Sequence, residues 1–377
     1  MKENLELSVV LPCLNEEDTI AKCITKIKKI FETHNIYGEV IVVDNGSVDK
    51  SVEIAKSHNA KIIFEKNKGY GSALKTGISN ASGKFILMGD ADDSYDFLEI
   101  MKFLNKIREG YDLVQGCRLP SGGGHIEKNA MPWSHRYIGN PMLSFLVRFL
   151  HNAPYKDVYC GMRIFRKSSI DKIKHFSNGM EFAIENLIKI NAYNLKIAQV
   201  PITLFKDGRI KSTSHLRTIR DGLRTLKLML ICSPKWLYFF PALFFLILSI
   251  HNIYNLDFYS SSEYKQFKEI TISGLFFVVS LQIFFVGIFA SLKSLNLNFS
   301  KDNTFLDLFF KIFKLDQAII ISSILLILSI IKIIFEPFII FDKKIDVLIF
   351  YFIFYFSITL FFNSLLISFL EFDNNEK

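Results

Sequence analysis

Past Pro234 the chain runs for long stretches almost without charge, and that limits what its second part can become. Four apolar runs occupy roughly residues 236–250, 270–292, 318–340 and 346–370. A bilayer-spanning helix needs about 20 mainly apolar residues. The last three runs meet that length; the first does so only if residues 254–258 extend it. In hydrocarbon each backbone N–H and C=O must be satisfied inside the segment, so helices are expected. Four spans place both ends on one side. Lys293, Lys301, Lys311 and Lys314 lie between the second and third runs, and Lys343 and Lys344 between the third and fourth. The first group, with the basic run before the first span, favours a cytosolic middle loop. Lys332 and Glu336, four apart in the third run, read as a pair or as snorkelling side chains.

The part before Ser233 differs in kind. Its 34 Lys and Arg face 25 Asp and Glu, a net of +9, whereas the remainder holds 11 against 12, a net of −1. Of 38 Phe, 27 fall in the second part, and of 19 Gly, 17 fall in the first. A basic globular part is therefore joined to one too apolar for water, which argues against a wholly soluble enzyme, a disordered chain or a disulfide scaffold. The five cysteines (Cys13, Cys23, Cys117, Cys160 and Cys232) form no CxxC spacing, which fits reduced cytosolic thiols and no metal site of that type. The opening MKENLELSVVLPCLNEE runs from a short apolar stretch straight into acids and is not read as a signal peptide. The globular part is expected on the cytosolic side.

Between the two parts lies HLRTIRDGLRTLKLML, residues 215–230. Leu216, Ile219, Leu223, Leu226 and Leu230 recur at helical spacing beside a stripe of Arg217, Arg220, Arg224 and Lys227. That pattern predicts an interfacial helix with its apolar side in the acyl boundary and its cations at lipid phosphates. A second candidate, residues 134–150, is apolar nearly all round, with Arg136 and Arg148 near its ends and a break expected at Gly139 and Pro141. A buried core helix is the rival reading there.

In the globular part, LSVVL (7–11), VIVV (40–43), KIIF (61–64) and FILM (85–88) read as short buried strands. Asn15-Glu16-Glu17-Asp18 is expected to cap a helix running to about Glu32, and another helix is expected from about Asp49. Strands alternating with helices predict an α/β fold with a parallel sheet, ligands binding at the carboxyl ends of the strands. Pro12, Asp44 and Asp90 all stand at such ends. Asp90-Ala91-Asp92 aims two carboxylates at one hard cation, Mg²⁺ or Mn²⁺, with positions left for a diphosphate. Asn67–Ala73 (NKGYGSA) is a glycine-rich turn opening a helix, suited to close approach by a nucleotide.

These motifs resemble family 2 glycosyltransferases, and among them the polyprenyl-phosphate glycosyltransferases, similar to dolichol-phosphate mannose and glucose synthases. The resemblance is carried by LPCLNEE (11–17), VVDNGSVDKS (42–51), GYGSALKTGI (69–78), GDADDS (89–94), GCRLPSGGG (116–124), DVYCGMRIFRK (157–167), GMEFAIE (179–185) and DGRIKS (207–212). It implies a GT-A (Rossmann-like) catalytic domain over residues 1–214; the apolar runs and the basic stripe add an interfacial helix over 215–233, four membrane helices over 234–370 and a cytosolic tail, 371–377. It implies a donor pocket of Pro12, Asn15, Glu17, Asp44, Asn45, Gly69, Asp90 and Ala91. Asp90 and Asp92 would hold the metal, with Ser94 close by. Arg118 would face the phosphates and Asp157 the reacting centre, with Arg118, Asp157 and Asp92 as the catalytic set. Arg163, Arg209 and Lys211 would clamp the acceptor phosphate, arginine through its planar fork.

The implied reaction is inverting transfer of a hexose from a UDP- or GDP-sugar to an undecaprenyl or dolichyl phosphate, made by a multi-pass membrane enzyme. A phosphate monoester is already anionic near pH 7, its second pKa being about 6, so a strong base is less necessary than for a hydroxyl. Glu185 falls near where relatives with hydroxyl acceptors keep a base, and it reads equally well as a structural residue. The alternative is such a hydroxyl acceptor, as in glycolipid or polysaccharide synthesis; no Q-x-x-R-W element accompanies it here. The lipid bilayer is an expected partner and nucleic acid is not, since no nucleic-acid motif occurs. Homo-oligomer formation stays open.

Overall fold

The computed structural model describes residues 5–210, 218–255, 262–297, 299, 304–335 and 344–375. The chain forms two compact units, Met1–Met229 and Leu230–Lys377.

The first unit begins with β1 (Leu7–Cys13), α1 (Ile20–Thr33), β2 (Gly38–Asp44), α2 (Ser51–Ser57), β3 (Lys61–Phe64), α3 (Tyr70–Ser79) and β4 (Phe85–Met88). There follow α4 (Ile100–Arg108), β5 (Leu113–Cys117), β6 (His125–Ile126), α5 (Asn140–His151), β7 (Arg163–Arg166) and the short α6 (Lys167–Ile170). Then come α7 (Phe182–Ala192), β8 (Ile197–Pro201), β9 (Thr203–Leu204) and α8 (Thr218–Ile231). Seven strands form one sheet in the order β3-β2-β1-β4-β7-β5-β8, and β6 pairs with β9. The strands are apolar on both sides because helices cover both faces. Leu7, Val9 and Leu11 of β1 pack with Ile20, Ile24 and Ile27 of α1 in one continuous core.

Two details depart from the sequence reading. The sheet is mixed, because β7 runs antiparallel to both β4 and β5. Residues 118–162 return the chain at the carboxyl end of β5 instead of crossing a face through a single helix, so β7 enters in reverse. This matters for function: the turn before β7 arrives beside the end of β4, where Met88 pairs with Arg163. Second, the first helix starts at Ile20, not at Asn15. Asn15 takes a left-handed conformation at φ 57°. Its N–H donates to Ser47 Oγ at 3.0 Å and its Oδ1 accepts from Val48 N at 2.9 Å. The segment after β1 is thus spent on bracing the loop after β2.

In the second unit a π turn, Lys235–Phe239, leads into α9 (Phe240–Tyr254), followed by α10 (Glu263–Asn296), α11 (Thr304–Ile312), α12 (Leu315–Phe335) and α13 (Lys344–Asn375). Phe285, Ile288, Leu292, Leu306, Leu360 and Ile367 form its core. Among the described residues two helices are long and apolar enough to cross a membrane, Lys235–Tyr254 and Tyr264–Asn296. A third is added if Phe305–Ile312 and Leu315–Ile331, bent by 52°, make one span. The expected first run gains its length upstream, from the π turn. The fourth expected run falls in α13, whose described apolar stretch is the shorter Phe352–Ser368. Residues 256–258, Lys301, Glu336 and Lys343 lie outside the described residues, as does the side chain of Lys332.

Candidate active site

The carboxyl ends of β1, β2 and β4 converge, with Cys13 in register with Asp44. Asp44 is nearly buried, and its carboxylate accepts from the N–H groups of Gly46 at 3.2 Å and Ser47 at 3.1 Å. A carboxylate has about four lone-pair positions, so capacity is left for a ligand. Glu17 braces the same loop: its N–H donates to Asp49 Oδ2 at 3.1 Å, and its Oε2 accepts from Lys50 N at 3.2 Å. Pro12, in register with Val43, lies at the base of this rim.

Asn45 has a different job from the one expected of it. Its Nδ2 donates to Glu65 O and Asn67 O at 3.0 and 2.9 Å, and its Oδ1 accepts from Gly69 N at 2.7 Å. The side chain is consumed in shaping the turn into α3. Gly69, at φ 141°, is the point where that turn meets the chain before α7; a Cβ there would overlap Asn178 O. Glycine alone suits both the conformation and the approach.

Tyr70, the next residue, donates its hydroxyl to Asp90 Oδ1 at 2.8 Å. Burial, then the charge of Asp92, pushes the Asp90 carboxyl up to about 7, against the lowering effects of Tyr70, Arg209 and Arg118. Asp92 Oδ1 accepts from Ser94 N at 3.1 Å and from Ser94 Oγ at 2.6 Å. The Ser94 hydroxyl therefore orients Asp92. Ala91 is buried between the two carboxylates. Gly161, in the turn before β7, lies so close that a Cβ would come within 2.7 Å of Asp90 Oδ2.

The strand pair β6–β9 carries the chain back over this point. Phe205 N donates to Ser94 O and Gly208 N to Asp92 O, each at 2.9 Å. Arg209 is delivered onto the carboxylates. Its fork makes bonds of 2.8 and 2.5 Å to Glu16, another of 2.6 Å to Asp207, and stands 3.6 Å from Asp92 Oδ2. Lys211 lies outside the described residues.

Arg118 and Asp157 are placed against each other. Nε and Nη2 of Arg118 bond the two oxygens of Asp157 at 2.8 and 2.9 Å, and the Arg118 N–H adds a third bond at 2.9 Å. Asp157 is wholly buried. The pair occupies both oxygens of Asp157, while Arg118 Nη1 lies outside it. Their link to the carboxylates is Tyr95: its hydroxyl accepts from Gly161 N at 2.8 Å and lies 3.5 Å from Arg118 Nη1.

Arg163 departs furthest from its expected place. It is completely buried, with Nη1 on Ala183 O at 2.9 Å and Nη2 on Cys160 O at 2.7 Å. Its position on β7, inside the sheet, makes it a brace between the turn before β7 and α7, away from the surface an acceptor would reach. Glu185 likewise faces inward. It accepts from Phe176 N at 3.0 Å and Ser177 N at 2.8 Å, and pairs with buried Lys189 at 2.7 Å. Burial pushes its carboxyl up, but the hydrogen bonds from His175 and Lys189 outweigh that and hold it down to about 2.

The structure thus gathers Asp90, Asp92, Ser94, Arg209, Gly69 and the Asp44 rim, and turns Asn45, Arg163 and Glu185 into internal braces. Glu16, Tyr70, Tyr95 and Gly161 were not singled out by the sequence reading. Glu16 and Tyr70 stand inside motifs already noted, but nothing in a string separates the buried Glu16 from its neighbour Glu17.

The carboxylate pair fits a divalent cation. Two hard oxygen donors stand at one strand end, and glycine at 161 leaves room beside Asp90. Among the described residues no three His, Cys, Asp or Glu side chains are grouped to hold a metal. The remaining ligands would then come from a substrate, as Mg²⁺ commonly arranges with one or two carboxylates and phosphates.

Comparison with known proteins gives one family match, to Glycosyl transferase family 2, over residues 8–174. The chain is 39% identical over 238 residues to the low-salt glycan biosynthesis hexosyltransferase Agl6 of Haloferax volcanii, covering 63% of this chain and 56% of that protein. It is 32% identical over 197 residues to the dolichyl-phosphate hexose transferase of the same organism, covering 52% of this chain and 82% of that one. Among solved structures, glucosyl-3-phosphoglycerate synthase from Mycobacterium tuberculosis, in complex with Mn²⁺, UDP and phosphoglyceric acid, aligns at a TM-score of 0.49 and 23% identity. That alignment covers 60% of this chain and 79% of the synthase.

Proposed function

The chain belongs to glycosyltransferase family 2, and on that footing we propose that it transfers a hexose from a UDP- or GDP-linked donor to a polyprenyl phosphate at the cytosolic membrane face, inverting the anomeric carbon. The arrangement that carries this reading is Asp90 and Asp92 at the end of β4, with Tyr70 bonded to the first and Arg209 poised by the second. Mg²⁺ or Mn²⁺ held by Asp90 and Asp92 would neutralise charge developing on the leaving diphosphate. The Asp44 rim, with Pro12, Asn15 and Glu17, holds the nucleoside, and the Gly69 turn approaches the donor.

The acceptor side rests on two supports. The relative named dolichyl-phosphate hexose transferase is matched over 82% of its length. Glu185, the candidate base for a hydroxyl acceptor, is committed to two backbone amides and Lys189. An acceptor that arrives ionised needs no such base, and Arg209 with Lys211 would meet its phosphate. Catalysis then comes from placement and from fixed charge around the diphosphate. The chain is read as a multi-pass membrane protein whose four helices anchor residues 1–214 at the lipid surface, with residues 215–233 as an interfacial helix. Arg220, Arg224 and Lys227 of α8 are exposed beside Leu223, which supports that last assignment.

The test supplies the purified full chain in liposomes with polyprenyl phosphate, Mg²⁺ or Mn²⁺, and labelled UDP- and GDP-sugars in turn. A lipid-soluble, mild-acid-labile sugar is the expected product, and Asp92→Ala should abolish it. No transfer from any donor, with the lipid verified as present, would overturn the reading.

A further inference from the structure

Helix α5 and the turns before it present an apolar stripe outward. Trp133, Tyr137, Ile138, Met142, Phe145 and Phe149 are each 50 to 67% exposed. The opposite side anchors the helix on its own unit: Ser144 and Val147 are fully buried, and Ser144 Oγ accepts from Val158 N at 3.2 Å. The stripe is kept in line by a π turn, His135–Gly139, in which Asn140 N bonds His135 O. Pro141 has no N–H for the ordinary ladder at this point, and the π turn absorbs one extra residue. The step from Tyr137 to Met142 is therefore five residues, and both side chains still face outward. So the expected break at Gly139 and Pro141 is a π turn in a continuous helix, and a core helix does not describe it.

The charge around the stripe names its partner. No Asp or Glu occurs from Lys128 to Lys156, while the cations Lys128, Arg136, Arg148 and Lys156 all do. Arg136 lies 5.4 Å from the centre of the Tyr137 ring, and its buried Nε has no hydrogen-bond partner. Trp and Tyr at one end, apolar side chains along the face and cations without acids match the headgroup boundary of an anionic bilayer. We propose that α5 is a second membrane-contacting helix of the catalytic unit, lying in the headgroup layer of an anionic bilayer with its Trp133–Phe149 side immersed. This deepens the membrane reading above, but its readout needs no sugar transfer, so the two can fail separately.

The chain holds two tryptophans, so Trp236→Phe leaves Trp133 as sole reporter. The full-length variant is reconstituted in phosphatidylcholine–phosphatidylglycerol liposomes carrying brominated acyl chains. Expected are blue-shifted emission, quenching strongest with bromines high on the chain, weak quenching by aqueous iodide, and deeper quenching as phosphatidylglycerol rises. Phe145→Trp in a Trp133→Phe, Trp236→Phe background should behave alike and covers the case in which the first variant misfolds. Quenching by iodide with indifference to brominated lipid would overturn the proposal. Protection from both quenchers would also overturn it, because protein would then cover the stripe.

Discussion

The Tyr70 hydroxyl stands 2.8 Å from Asp90 Oδ1 and donates to it. This bond lowers the pKa of a carboxyl that burial and Asp92 have raised to about 7. Divalent cations need the ionised form. Metal affinity should therefore climb as pH rises through 7. Tyr70→Phe removes the donor, pushes the Asp90 pKa higher and moves that climb to more alkaline pH. A hydrogen bond to a charged group contributes about 1.5–3 kcal/mol, so Mn²⁺ binding near pH 7 should weaken by roughly tenfold or more. Titration of Mn²⁺ by electron paramagnetic resonance measures it directly. An unchanged affinity and pH profile would remove Tyr70 from the site.

Glu185 and Lys189 form a buried pair 2.7 Å apart. The folded-state pKa of Glu185 is about 2 against an ordinary 4.5. A depressed carboxylate contributes stability that is fully present above its unfolded pKa and lost as pH falls through its folded one. The contribution should thus fade between about pH 4.5 and 2. Glu185→Gln leaves Lys189 buried without its counter-charge, and breaking such a pair costs about 3–5 kcal/mol. Denaturation midpoints of the full chain in detergent, taken across that range, should show the variant low at neutral pH and flatter toward acid. Parallel curves would refute the linkage.

Much of this site is legible in the sequence. Asp44 and Asp90 follow runs of apolar residues that can only be buried strands, and a strand's end fixes where its next residue sits. The same logic does not reach β7, because RIFR carries two arginines and forms no apolar run, yet Arg163 is buried on carbonyls contributed by residues up to 20 positions away. Long-range satisfaction of that kind leaves no local pattern. The string cannot assign Asn45 and Glu185 for a related reason: a polar side chain that binds ligand and one that staples a loop have the same identity and differ only in which backbone groups reach them first.

Gly69 tests the loop architecture. It combines φ 141° with an approach to Asn178 O that has no room for a Cβ. Gly69→Ala must move the Asn45-held turn, and Tyr70 with it. Alanine at φ 141° and ψ 147°, a backbone region essentially reserved to glycine, costs about 1–3 kcal/mol, and the overlap adds to it. Donor affinity, followed by calorimetric titration with UDP and GDP in the presence of Mn²⁺, should fall several-fold while the thermal midpoint drops by only a few degrees. A loss of stability with donor affinity intact would show that the turn serves folding alone.

Arg209 poses the sharpest question, because two roles compete for one guanidinium. Its fork is shared by Glu16, Asp207 and, at 3.6 Å, Asp92. Burial lowers its pKa, but the bonds to Glu16 and then the charge of Asp92 outweigh it and hold the guanidinium above arginine's usual range. In one role Arg209 balances the buried carboxylates; in the other it swings to an incoming acceptor phosphate. Arg209→Lys separates them. Lysine restores the charge but not the planar fork that holds both Glu16 oxygens. If the acceptor role is correct, kcat/KM for the lipid phosphate should fall by about 10- to 100-fold, the range expected for losing one or two charge-assisted bonds. Donor affinity should then change little. If balancing the carboxylates is the whole role, lipid and donor terms should fall together, and Glu16→Gln added to Arg209→Met should restore much of the stability that Arg209→Met alone removes. The double-mutant cycle and the split between acceptor and donor constants thus assign the residue to one role or the other.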